Sequence, residues 1–138
     1  MHKPFSQQLY NKDDQAKEVF INWITKQGWQ AQVNPDQYGI DVLLKSPTGE
    51  DWSVEVEVKH NWKAQEFPYS AVHFSSRKLK FAQNCSIFFM FNHDLTVALG
   101  VSGEVFRRCP VVTKNTIYTK AEQFVAVPKN LCKFWHIT

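Results

Sequence analysis

Cysteine is scarce in this chain. Its three residues, Cys85, Cys109 and Cys132, lie far apart. An odd number without CxxC spacing argues against a disulfide framework and against a zinc site. Reduced thiols in a cytoplasm are expected instead. The five histidines show neither HxxxH nor HxH ligand spacing. No run of about 18 apolar residues occurs, so no membrane span is expected. The opening stretch MHKPFSQQLYNKDD lacks the apolar region of a secretory leader. Repeats, linkers and low-complexity tracts are missing too, and 138 residues suit one domain, 1–138.

What is abundant is apolar and aromatic material. Eleven Phe and five Trp in a chain that is 43% hydrophobic are enough for a substantial core. Charge is distributed unevenly. Residues 1–58 carry five lysines against nine acids, and residues 59–138 carry eleven Lys and Arg against four acids. An acidic cluster followed by a basic half fits a metal site beside a phosphate-binding surface. For the asymmetry alone, ordinary surface charge is the favoured explanation.

Periodicity predicts a helix over 12–27, capped by Asn11, with Asp13 and Asp14 at its positive end and Gly28 at its stop. Its apolar stripe is Ala16, Val19, Phe20, Trp23 and Ile24. Strands follow at 29–33 and 40–46, and a PTGED turn leads into a third strand, 52–60. Ser75 or Ser76 caps a short helix with Arg77, Lys78 and Lys80 outward. CSIFFMFN reads as a strand buried on both faces, and LTVALGVSG as a fifth. Beyond Glu104 the pattern weakens. EQFVAVP suits another strand and KNLCKFWHIT a closing helix or tail. The expected fold is α/β, a mixed central sheet flanked by helices.

The third strand raises the functional question. In WSVEVEVKHNW, Val54, Val56 and Val58 share one face, while Glu55, Glu57 and Lys59 share the other. With PTGED as the loop, Ser46 lies opposite Trp52 and Asp41 opposite Glu57. Two carboxylates that close repel unless a cation stands between them. Mg²⁺ suits that place, because it takes oxygen ligands from one or two carboxylates. The Val58 carbonyl adds another oxygen, and Lys59 reaches the same space. A solvated, salt-bridged sheet face is the plainer alternative, with Glu55 as a surface or supporting residue.

YGIDVLL followed by VEVEVKH resembles the PD-(D/E)xK nuclease superfamily, in which an Asp opening one strand meets (D/E)xK on the next. The resemblance covers residues 12 to about 103. It is similar in pattern to small Holliday junction resolvases and to compact phage or intron-encoded endonucleases. It implies a restriction-endonuclease-like αβββαβ core and a metal-dependent endodeoxyribonuclease, prokaryotic or phage-encoded. Asp41, Glu57 and Lys59 would be catalytic. Asp41, Glu57 and Val58 would hold Mg²⁺, with Mn²⁺ as substitute. Arg77, Lys78 and Lys80 would contact DNA, duplex or branched, and a homodimer is expected. Asp36 in NPDQ rivals Asp41 for the first acid but falls in a turn. An acid from the first helix, Glu18 or Asp13, stays unassigned. His60 could touch a phosphate, and Trp52 and Trp62 could stack on bases, though surface and core roles are the ordinary ones. The alternative function is a non-catalytic nucleic-acid-binding module on the same fold.

Overall fold

The computed structural model describes residues 4–115 and 120–137, with side chains from residue 12 onward. Helix α1 spans Pro4–Thr25. Strands β1 (Gln30–Val33), β2 (Val42–Lys45) and β3 (Asp51–Val58) follow it. Next come β4 (Ala71–Ser75), a 3-10 helix (Ser76–Phe81), β5 (Ile87–Phe91) and β6 (Val97–Ser102). Helix α2 (Gly103–Arg108), β7 (Val111–Lys114), β8 (Glu122–Pro128), a 3-10 turn (Lys129–Leu131) and β9 (Lys133–His136) complete the order.

Six strands form one mixed sheet in the order β1-β2-β3-β5-β6-β9. Within it β3 and β5 run parallel, and every other neighbouring pair is antiparallel. A separate three-stranded sheet has the order β4-β8-β7. At its centre, along β5 and β6, the six-stranded sheet is buried on both faces. On one side Val54, Val56, Val58, Phe89 and Phe91 pack under Ala16, Phe20 and Ile24 of α1. On the other, Phe88, Met90 and Leu99 pack against Val72 and Phe74 of β4, Val125 and Val127 of β8, and Phe106 of α2. Alternation along β5 sends Phe88 and Met90 one way and Phe89 and Phe91 the other, as a doubly covered strand requires. Each such side chain contributes roughly 1.5–3 kcal/mol by leaving water.

The structure departs from the sequence reading in four places. Helix α1 begins at Pro4, so Asn11 lies inside it and is not its cap. Pro at the first helical position costs no hydrogen bond, and no Gly or second Pro interrupts the residues before Asn11. The basic stretch after β4 is a 3-10 helix, six residues long, with Ser75 as its cap. A segment so short gains little from α geometry. The second face of the main sheet is covered largely by the three-stranded sheet rather than by helix. Finally, the closing segment is a 3-10 turn followed by β9, which pairs with β6.

Register is also different. Lys45 opposes Asp51, and Val42 opposes Val54. Ser46 and Glu50 close the turn, with the Ser46 N–H donating to the Glu50 carbonyl at 2.8 Å. The loop is therefore only Pro47, Thr48 and Gly49, and Gly49 supplies the left-handed φ of +87° that a three-residue hairpin loop needs. Asp51, placed in the turn by sequence, instead opens β3 and pairs with Lys45 at 3.0 Å. The register shifts by two residues, so Asp41 comes to face Glu55 and not Glu57.

Candidate active site

β2 begins at Val42, whereas β3 continues past Val54 to Val58. Beyond that point the backbone edge of β3 has no β2 partner, and Asp41 takes its place. The Asp41 carboxylate accepts the Val56 N–H at 2.9 Å, through Oδ2. In return the Asp41 N–H donates to Glu55 Oε2 at 2.8 Å. The two bonds fasten Asp41 at the mouth between the strands. The Asp41 carbonyl accepts the Asn34 N–H at 3.0 Å, which anchors the segment from its other side. Asp36, the rival acid, is occupied in its own turn, where its carboxylate accepts the Tyr38 N–H.

Glu55 is not a surface residue. It is 3% exposed, and its Oε1 accepts a hydrogen bond from Lys78 Nζ at 2.9 Å. Burial raises its carboxyl above the ordinary value, against the pull of the Lys78 ammonium. Burial also works against the charge on Lys78, yet Glu55 and Glu57 outweigh it and leave that pKa above a normal lysine's. Lys78 is thus turned inward, unlike the outward position assigned by the helical pattern. Arg77 and Lys80, its neighbours, are exposed.

Glu57 lies one pleat further along the same face. Burial drives its carboxyl up to about 7. Lys78, Lys59 and the Ser75 N–H pull it down, while Asp13 pushes it up. Lys59 follows, its pKa lowered by burial, with Glu57 opposing and Lys114 adding to the fall. Its ammonium sits 5.6 Å from the ring centre of Tyr69.

Helix α1 contributes from above. Lys17 Nζ lies 3.6 Å from Asp41 Oδ1. Asp13, one turn earlier and exposed like Glu18, has its carboxyl raised by desolvation and by Asp41, while His60, Lys78 and Lys17 lower it. Of the two helix acids, Asp13 is therefore the one that shares the field of Asp41 and Glu57. Glu18 is exposed. His60 is half-buried, 5.9 Å from His93 ring to ring. Burial lowers its pKa, Asp13 raises it, and His93 lowers it further. Trp62 is fully buried, with its indole N–H on the Glu66 carbonyl. Trp52 packs edge-on against Trp29 at 5.7 Å, at the turn end of the hairpin.

The sequence reading placed Asp41, Glu57 and Lys59 in one region; in the structure Asp41 meets Glu55 and the Val56 N–H, and the reading missed the residues that hold it there. Lys17 was legible in principle, being four residues from Asp13 and beside the apolar Ala16. Glu55 and Lys78 carried no local signal of pairing, because 22 residues of chain separate them. Among the described residues, no three Asp, Glu, His or Cys side chains form a ready-made metal cluster. Also among the described residues, no helix is long and apolar enough to cross a membrane. Comparison with protein-family models, curated proteins and solved structures returned no match.

Proposed function

We infer that the chain is a metal-dependent endodeoxyribonuclease of the restriction-endonuclease-like PD-(D/E)xK kind, cutting DNA phosphodiester bonds. One observation carries the reading: Asp41 is fastened by reciprocal hydrogen bonds to Glu55 and Val56 where β2 has ended, on the strand that carries Glu57 and leads into Lys59. A solvated salt-bridged face does not require a carboxylate tied to a strand edge, nor a half-buried Glu57 whose carboxyl is pushed up to about 7. The order α1-β1-β2-β3 with β5 parallel to β3 supports the reading, although β4 is inserted after β3 and a six-residue 3-10 helix stands where the αβββαβ core has its second α-helix.

The donor set suits a hard cation. Asp41 and Glu57 offer carboxylate oxygens, and strand alternation turns the Val58 carbonyl to the edge that carries the Val56 N–H. Asp41 and Glu57 are diagonal neighbours rather than directly opposed, a spacing of about 7–8 Å that two side chains can still span. These groups would hold Mg²⁺, or Mn²⁺ in its place. When bound, such an ion polarises the phosphate and acidifies a water. Glu55 positions Asp41, and Lys78 neutralises Glu55 so that its charge does not repel the phosphate. Lys59, partly desolvated, is suited to orient the attacking water and to offset charge on the transition state. Cutting both strands of a duplex or junction is simplest with two such sites about a two-fold axis, hence a homodimer. Three free thiols suit a reducing cytoplasm.

The test is cleavage of supercoiled plasmid and of a four-way junction, with Mg²⁺ and with EDTA. Single-turnover rates are compared for the wild type and Lys59→Ala. The expected result is metal-dependent cutting that falls by about 10²-fold or more in the variant, with metal affinity nearly unchanged. DNA binding without metal-dependent cutting of either substrate would leave the non-catalytic binding module as the function.

A further inference from the structure

Past the end of β3 the chain opens into a cavity of about 490 Å³. Its lining includes Lys59, Lys114, His73, Asn61, Tyr69 and Ser70. The three basic groups come from three places: Lys59 from beyond β3, His73 from β4 and Lys114 from β7. Two of those strands belong to the three-stranded sheet, whose role is otherwise only to cover the core. No carboxylate lines the cavity among the described residues. Glu57 lies two residues before Lys59, and Glu122 stands opposite Lys114 on β8.

From this arrangement we propose that the cavity is a phosphodiester-binding subsite, seating the nucleic-acid strand next to the phosphate that is cut. Three groups that carry or accept positive charge line one cavity with no acid in its lining, so an anion seated there gains from each of them. Burial and then Lys114 disfavour charge on His73. A phosphate answers all three at once, and Asn61 and Ser70 add neutral polar groups. Tyr69 is 45% exposed at the rim, with one face toward Lys59, and offers a surface on which a base can stack. His73 is held by stacking on Phe124 at 5.7 Å, so its ring is placed before any ligand binds. Lys59 joins the two sites: its stem leaves β3 beside Glu57, and its ammonium faces the cavity. The identification of the anion as nucleic acid, rather than any small phosphate, rests on the nuclease reading.

The experiment is fluorescence anisotropy with a short labelled single-stranded DNA in EDTA, with inorganic phosphate as competitor. Lys114→Ala and the double variant with His73→Ala are compared with the wild type. Lys114 is exposed, so its loss leaves the fold intact and serves where the double variant melts early. The expected result is affinity about tenfold weaker for Lys114→Ala. The slope of log K against log salt should also flatten by about 0.7 for the lost contact. Inorganic phosphate should compete only weakly. Unchanged affinity and slope in Lys114→Ala overturn the proposal. So does inorganic phosphate that displaces the DNA as readily as unlabelled DNA does, which would make the cavity a small-anion site. The two readings fail separately. If the wild type cuts no DNA but Lys114→Ala still loses binding, the nuclease falls and the subsite stands. If cutting is normal and Lys114→Ala binds like the wild type, the reverse holds.

Discussion

Replacing Glu57 by Gln tests whether burial has driven its carboxyl out of the ordinary range. Gln keeps the shape of the neutral acid and cannot ionise. In the folded chain the carboxyl titrates near 7, against 4.5 for an ordinary glutamate. The folded state therefore holds a proton that the unfolded state gives up, and stability falls as pH rises from about 4.5 to 7. A shift of that size corresponds to about 3 kcal/mol at full span. Residual solvent contact screens part of the charge, so a measured span of about 1–3 kcal/mol is expected. At pH 5 the two proteins should unfold at similar urea concentrations. At pH 8, in EDTA, Glu57→Gln should be the more stable by that margin. Mg²⁺ should then narrow the gap by stabilising the wild type, because an ionised Glu57 gains a partner and Gln does not. The measurement is urea unfolding of both proteins at four pH values, with and without Mg²⁺. A difference in stability that stays flat from pH 5 to pH 8 would refute the reasoning, for it would mean that Glu57 ionises as it does in water.

Other consequences follow from the same geometry. Lys78→Ala leaves Glu55 buried without its cation and should cost about 3 kcal/mol at neutral pH. The cost shrinks as pH falls and Glu55 takes up a proton, which thermal melts at pH 5 and 8 would show. Asp41→Asn should weaken Mg²⁺ binding in calorimetric titration; equal affinity would remove Asp41 from the metal site. Arg77→Ala with Lys80→Ala removes exposed charges without touching Lys78, so stability should hold while DNA affinity falls and its salt dependence flattens.

The elements that were legible are those written in short-range patterns. Val54, Val56 and Val58 declare a strand face by themselves, and Gly28 stops a helix whatever lies around it. The run IFFMF could be read as a strand buried twice over for the same reason. β4 was not legible: AVHFS is five residues long, and what makes it a strand is β8, some fifty residues away. Register was legible only in its parity. The face of Glu55, Glu57 and Lys59 follows from the pleat, but the partner of Asp41 depends on how many residues leave the ladder at the turn. Asp51 stays in the ladder beside Lys45, and that moves Asp41 from Glu57 to Glu55. Lys78 shows the limit most clearly. Its neighbours in sequence assign it to water, and only folding brings the buried carboxylate of Glu55 within 2.9 Å of it. Side-chain direction follows from the local backbone, whereas the choice between water and a partner belongs to groups distant in the chain. The sequence by itself therefore determined which residues carry acid and base on one strand, and the tertiary structure decided which acid holds Asp41 in place and which remains to meet a ligand.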